Sequence, residues 1–320
     1  MSGSRMLAEI HEQPDVLREL CRRATHACDE WRVPKTLFRG SSSAVIVGSG
    51  SSFNAGLAAR LYLETLAGVA ARVEPASEAF RHRVPGRPLA IGLSHSGRSA
   101  DVREALRRAK RQGCRTLALT NIEGSPMTRE ADIALVTGAG VERAIPSTKG
   151  FTALMAGSLL MAANRAGRLK ATVSAVRRAA RVMETSVSVD VITARIASSK
   201  TVVFLGEGLF YPVARDAALK LLEVTYIPAL AYPPEEFRHG PIAVAEPGVA
   251  IVALTRIPRV VTAVAFAAGS PVLELPKHPT VPLLARPLVH AEALQRVAHA
   301  VGLELGRNID QPRALSKVVS

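Results

Sequence analysis

Cysteine is nearly missing from this chain: 320 residues carry three, Cys21, Cys28 and Cys114. Their spacing gives no C-x-x-C pair or other metal-ligand pattern, and an odd number argues against a disulfide framework, so all three are expected to be reduced and structural. Aromatic residues make up only 4% of the chain, which leaves little with which to stack nucleobases. No apolar run reaches the length of about 20 residues that a bilayer demands. The longest, FTALMAGSLLMAA at 151–163, stops well short, and no N-terminal segment joins a basic start to an apolar stretch. The cytoplasm is the expected location. Lysine is scarce too, confined to Lys35, Lys110, Lys149, Lys170, Lys200, Lys220, Lys277 and Lys317.

What the chain does have is arginine and apolar residues. A net charge of +14 raises the prospect of a nucleic-acid partner. The arginines are spread along helical stretches such as REALRRAKRQG and VRRAARVM, with no helix-turn-helix or zinc-finger pattern, so solvated arginine-rich faces are the expected reading. An apolar content of 48% in 320 residues can bury a large core and suggests about two domains.

Along the chain, RMLAEIHEQPDVLREL predicts an amphipathic helix broken at Pro14, and SSSAVIVGSG a buried strand entering a glycine turn. SSFNAGLAARLYLETLAG reads as helix, VEPASEAF as short and extended, RPLAIGLSHSG as a strand ending in a polar loop, and SADVREALRRAKRQG as a helix stopped at Gly113. TLALTN and ADIALVTG are two more apolar strands, and 150–196 is a core helix plus linker. This alternation predicts right-handed βαβ crossovers and a parallel sheet covered on both faces.

A second series starts at TVVFLGEG and copies the first. AVIVGSGSSFNAGLAARLYLE aligns with VVFLGEGLFYPVARDAALKLLE, setting Gly48 and Gly50 against Gly206 and Gly208. EAFRHRV at 78–84 then falls on EEFRHGP at 235–241 at an offset differing by one residue, as a duplicated α/β unit requires. Phe-Arg-His is therefore expected to be scaffold in both copies, and the differences between copies guide the chemistry.

Only the first copy has serine clusters at strand ends: Ser49, Ser51 and Ser52 in GSGSSFNAG, and Ser94, Ser96 and Ser99 in LSHSGRSAD. Ligands of open α/β sheets lie outside the carboxyl ends of the strands, where helix N-termini and short hydroxyls can hold a phosphate. With Ser147 in STKGF as a third cluster, an anion cradle is expected, although Ser99 before Asp101 also suits a helix N-cap. In the second copy, Lys220 and Glu223 lie three apart on one helical face, either as an exposed ion pair or as the site of a carboxylate that moves a proton between sugar carbons through an enediol. His239 precedes Gly240-Pro241, a tight turn that would present its ring from a loop as an acid/base group.

The ordered set GSGSSFNAG, LSHSGRSAD, PSTKGF, LKLLEVTYI, EEFRHGP and DQPRALSKVV resembles the tandem sugar-isomerase (SIS) half of glucosamine-6-phosphate synthase and its stand-alone relatives, over nearly the whole chain. That resemblance implies two SIS domains, each a three-layer α-β-α sandwich on a flavodoxin-like parallel sheet: a helical segment at 1–40, one domain at 41–195, and a second at 196–320 ending in a catalytic tail. It implies that Ser52, Ser94, Ser96 and Ser99 hold the sugar phosphate, with Ser51, Ile145 and Ser147 also lining the substrate and His95 standing where glutamine is usual. Glu223 would shuttle the C1/C2 proton beside Lys220, His239 would open the ring from the other subunit of a homodimer, and Lys317 in the tail would close over the sugar and form an imine with an open-chain ketose. No metal or cofactor, nucleic acid or membrane is implied.

Several residues depart from the family pattern. Arg98 replaces an acidic residue, Ile145-Pro146 stand for Val-Ala, and the stretch from ALTRIPR to SPVLELP is shortened with loss of a helix. With a start at MSGSRMLAEIHEQP and no cysteine at position 2, a glutaminase domain is not expected. The expected activity is that of an isomerase-type deaminase on a hexosamine 6-phosphate, glucosamine 6-phosphate giving fructose 6-phosphate and ammonia. A fructosamine-6-phosphate deglycase and a non-catalytic sugar-phosphate sensor are the alternatives.

Overall fold

The computed structural model describes residues 3–25, 31, 43–185 and 188–317; Cys28 and the expected boundary near residue 40 lie outside the described residues. The N-terminal helix breaks as its proline predicts, into α1 (Ser4–His11) and α2 (Gln13–Thr25), with Pro14 in the first turn of α2, where its missing N–H costs nothing. The chain forms two compact units. The early unit holds Glu12–Glu142 and Lys149–Arg181; the late unit holds Met1–His11, Arg143–Thr148 and Val182–Lys317.

The early unit is built on β1 (Ser43–Gly48), β2 (Ala70–Pro75), β3 (Leu89–Ser94), β4 (Thr116–Thr120) and β5 (Ile133–Val136), all parallel in the order β2-β1-β3-β4-β5. β3 and β4 are buried at every position, which is why LAIGLS and TLALT read as continuous apolar runs rather than alternating ones. Helices α3 (Ser51–Tyr62), α4 (Ala100–Arg111), the short α5 (Pro126–Glu130) and α6 (Lys149–Arg165) join and cover the strands. α4 shows the logic: Val102, Ala105, Leu106 and Ala109 face the core while its arginines face solvent, and Gly113 at φ 78° closes the turn that follows. α6 is buried along its first fifteen residues, so its apolar composition has no polar stripe. The remainder of 150–196, expected as linker, is α7 (Leu169–Glu184) and α8 (Asp190–Ala197).

The late unit repeats the plan with β6 (Thr201–Leu205), β7 (Ala229–Tyr232), β8 (Val249–Ala253) and β9 (Val272–Glu274), parallel in the order β7-β6-β8-β9. Its helices are α9 (Tyr211–Thr225), the single turn α10 (Pro234–Phe237), α11 (Arg259–Ala267) and α12 (Arg286–Glu304), with α12 packed on α8, α9 and α1. The expected loss of a helix between ALTRIPR and SPVLELP is corrected in part. α11 is retained there because Val261 and Ala265 pack into the core; what the second copy lacks is a counterpart of α5 and β5.

The duplication is visible in the backbone. A Cβ on Gly48 would lie 2.8 Å from the backbone of Ser52, and one on Gly206 would lie 2.8 Å from the backbone of Phe210. Gly50 and Gly208 take φ 54° and 55°, the left-handed region that side chains resist. Each pair lets a strand turn sharply into its helix. In Phe-Arg-His, Phe80 and Phe237 are core residues of their units, while the Arg and His of both copies are exposed.

Candidate functional site

In the early unit the strand ends converge on small polar groups. Ser51 and Ser52 are the first two residues of α3, and the Ser51 hydroxyl is buried with no hydrogen-bond partner among the described residues. Ser99 occupies the N-cap position of α4 but makes no capping bond; its Oγ instead lies 2.9 Å from that of Ser94. The N-cap alternative for Ser99 thus gives way to a hydroxyl pair. Between them, the Gly97 N–H donates to Ser94 Oγ at 3.2 Å and the Arg98 N–H to Ser96 Oγ at 3.2 Å, which fixes the loop. Gly97 is required here: at φ 63° a Cβ would lie 2.2 Å from Ser125 Oγ. The Ser49 hydroxyl bonds Asp101. Two helix N-termini and a set of hydroxyls can together receive a phosphate.

His95 sits inside this loop, its backbone carbonyl held by the Asn121 N–H at 3.0 Å and by Thr120 Oγ1 at 3.2 Å. Its Nε2 lies 3.8 Å from Glu142 Oε2, and the Glu142 side chain is fully buried, its other oxygen accepting the Gly150 N–H at 3.1 Å. Glu142 was not legible in the sequence. Arg98 is exposed beside the loop.

In the late unit the Lys220–Glu223 pair is not the exposed surface pair that spacing alone allows. Lys220 is 2% exposed and Glu223 19%, and the ammonium donates directly to the carboxylate. His239 is exposed on the turn after α10, and Gly240 takes φ 122° before Pro241, as the tight turn predicts. The tail is fastened. Asp310 accepts the N–H groups of Gly3 at 3.1 Å and Met6 at 2.9 Å, so it caps α1 from the other end of the sequence, and its carbonyl accepts the Ile145 N–H at 2.9 Å. The buried Glu9 takes the Arg143 and Ala144 N–H groups, and Lys317 Nζ donates to the carbonyl of Ala144 at 2.6 Å. Lys317 therefore stands beside the segment that carries Ile145 and Ser147.

Other candidate chemistry resolves into structure. Burial pushes the Cys21 thiol up to about 11 and raises that of Cys114, so both are unreactive thiols. Lys149, 2% exposed, is an ion-pair partner of Glu12. On α4, Glu104 meets Arg107, Arg108 and Arg111 and is held below the usual carboxylate range, chiefly by Arg111. A basic hollow between α2 and α7 includes Arg18 and Arg22, each already paired on its own helix with Asp15 or Glu19. Among the described residues no group of three His, Cys, Asp or Glu is placed to hold a metal ion, and no helix is long and apolar enough to cross a membrane.

The six early-unit residues Ser51, Ser52, Ser94, His95, Ser96 and Ser99 gather at the ends of β1 and β3, and Lys220, Glu223, His239, Ile145, Ser147 and Lys317 all fall in the late unit. Comparison with known proteins identifies the architecture. The SIS domain family matches residues 37–164 and 195–267, more than half of the chain. Glutamine--fructose-6-phosphate aminotransferase [isomerizing] of Corynebacterium glutamicum is 34% identical over 99% of this chain and 58% of its own length, and that of Acidithiobacillus ferridurans is 33% identical over 98% and 58%. The chain thus spans a little over half the length of these relatives. Among solved structures, the C-terminal domain of glucosamine-fructose-6-phosphate aminotransferase from Francisella tularensis aligns over 96% of this chain and 98% of its own, at 30% identity and a TM-score of 0.81. Glucosamine-6-phosphate deaminase of Thermotoga maritima shares the fold at 23% identity, a TM-score of 0.82 and 99% coverage of both chains. With two parallel sheets, a repeated glycine corner and these matches, the chain belongs to the SIS domain family of sugar-phosphate isomerases.

Proposed function

We propose that the protein converts a hexosamine 6-phosphate, glucosamine 6-phosphate first among candidates, to fructose 6-phosphate and ammonia in a homodimer in the cytoplasm. The phosphate sits on the hydroxyls of Ser52, Ser94, Ser96 and Ser99, with Ser51 and His95 beside them. His239 of a second subunit opens the ring. Glu223 removes the proton from C2 of the open-chain aldehyde and returns it to C1, leaving an imine at C2. Water adds to that carbon and ammonia leaves, so one water is consumed for each ammonia released. Lys317 closes the site and holds the sugar chain beside Ile145 and Ser147, and no metal is needed.

The observation that carries this reading is the Lys220–Glu223 pair. A buried ammonium bonded to the carboxylate holds it in one place, as a group that carries a proton between two carbons requires. The reverse reaction, amination of fructose 6-phosphate, would use the same groups, and the relatives at 33–34% identity are named as isomerizing aminotransferases of glutamine and fructose 6-phosphate. Purified protein assayed for ammonia release from hexosamine 6-phosphates, and for amino-sugar formation from fructose 6-phosphate and ammonia, tests both directions. Release of a free amino acid from a fructosamine 6-phosphate would replace this reading with a deglycase. Thermal stabilisation by sugar phosphates without turnover would replace it with a sensor.

A further inference from the structure

The C-cap of α9 is occupied by Tyr226 at φ 65° and ψ 11°, a left-handed conformation. Helices commonly end in this conformation, and glycine is the residue that adopts it without strain; a bulky aromatic there is an outlier that the rest of the structure must hold in place. Only four described residues other than glycine have positive φ, and two of them are Tyr226 and Ala314, the second of which follows Arg313 in the tail. The phenol oxygen accepts the Arg313 N–H at 2.9 Å. The guanidinium of Arg313 lies 4.2 Å from the ring centroid and that of Arg307 lies 5.1 Å away, both within cation–π range. One side chain thus receives a backbone donor and two cations from the segment leading to Lys317.

We propose that Tyr226 is a positioning residue that sets the register of the tail against α9, and so places the Lys317 ammonium relative to Glu223. Tyr226 is three residues beyond Glu223 on one helix end, and Arg313 is four residues before Lys317 on one tail. The ring joins these two short spans. The strain of a left-handed tyrosine is tolerated because the side chain is needed at this point, whereas a glycine would end the helix at lower cost and take from the tail its hydrogen bond and its two cation–π contacts at this ring. The link to turnover rests on the proposed function; the link to the tail does not.

The test uses the full chain with Tyr226→Gly and Tyr226→Phe, read by steady-state kinetics, thermal melting and limited trypsinolysis with mass spectrometry of peptides released after Arg313 and Lys317. If Tyr226 were only a helix cap, glycine would preserve both activity and tail protection. The expected result for Tyr226→Gly is a melting temperature close to wild type, tail cleavage faster by roughly tenfold and kcat lower by roughly tenfold, the scale of one hydrogen bond plus a cation–π contact, with KM changed less than about threefold. Tyr226→Phe, which keeps the ring, should recover most of kcat and show tail cleavage only about two- to threefold above wild type. Wild-type tail cleavage in both variants overturns the proposal, as does unchanged kcat in Tyr226→Gly. If wild type turns over no hexosamine phosphate the deaminase reading fails, and trypsinolysis alone then decides the anchoring. Should Tyr226→Gly not fold, faster tail cleavage in Tyr226→Phe sustains the proposal and an unchanged rate overturns it.

Discussion

The same corner occurs twice in this molecule and is put to opposite uses. After β1, Gly48 and Gly50 turn the chain into α3, and the next positions are serines. After β6, Gly206 and Gly208 make the same turn, but Ser52 is replaced by Phe210, 93% of whose surface is buried. The Phe210 ring packs 5.0 Å from that of His290, which meets His278 at 5.5 Å. One copy keeps its corner open and lined with hydroxyls; the other plugs it with rings. Duplication supplied two corners of the same geometry, and on the proposed function the filled one belongs to the unit that carries the acid/base groups. Electrostatics follow the split: burial, with His278 and Arg286 nearby, depresses the His290 pKa to about 4, so the ring that plugs this corner is uncharged at physiological pH.

Four experiments would break or sharpen this contrast. The largest effect is expected for Glu223→Gln, which removes the proposed proton carrier of the late unit and should lower ammonia release by about 10²–10⁴-fold, measured per folded protein because Lys220 loses its partner. Phe210→Ser, which gives the plugged corner the residue of the open one, should cost about 3–5 kcal/mol in urea unfolding without creating a second phosphate site; two sugar phosphates bound per chain in calorimetry would contradict the contrast. Acid should weaken the plugged corner selectively. The folded pKa of His290 lies below its ordinary 6.5, so the unfolded chain binds the proton first: the stabilisation is complete above pH 6.5 and is lost as pH falls toward 4, by at most about 3 kcal/mol. His290→Phe should flatten the dependence of the melting temperature on pH over that range. The smallest effect is expected for Ser99→Ala, which should raise KM for the sugar phosphate about tenfold and lower stability by no more than about 1 kcal/mol, since its hydroxyl caps nothing in α4 and gives up one bond to Ser94.

Much of the architecture could be read directly from the residues. Continuous apolar strands, arginine-faced helices and paired glycines carry local, periodic signals, and the offset between Phe80-Arg81-His82 and Phe237-Arg238-His239 exposed the duplication. Ser94 and Ser99 were recognisable because both stand at a strand-to-helix junction. Lys220 was ambiguous, because i, i+3 spacing fixes a shared helical face but not whether that face is buried. Glu142, Tyr226 and Asp310 were invisible for a different reason. Each acts on partners far away in sequence, Glu142 on His95, Tyr226 on Arg313 and Asp310 on Gly3 and Met6, and no local pattern distinguishes them from ordinary acidic or aromatic residues. The helix retained in α11 escaped for a similar reason: its residues are apolar nearly throughout, so neither periodicity nor capping marks it.

Asp310 has a consequence for biosynthesis. The carboxylate that receives the amides of Gly3 and Met6 is made some three hundred residues after them. The early unit can assemble while translation continues, but the cap on α1 must wait for Asp310, so the start of α1 is secured only after both sheets have been synthesised.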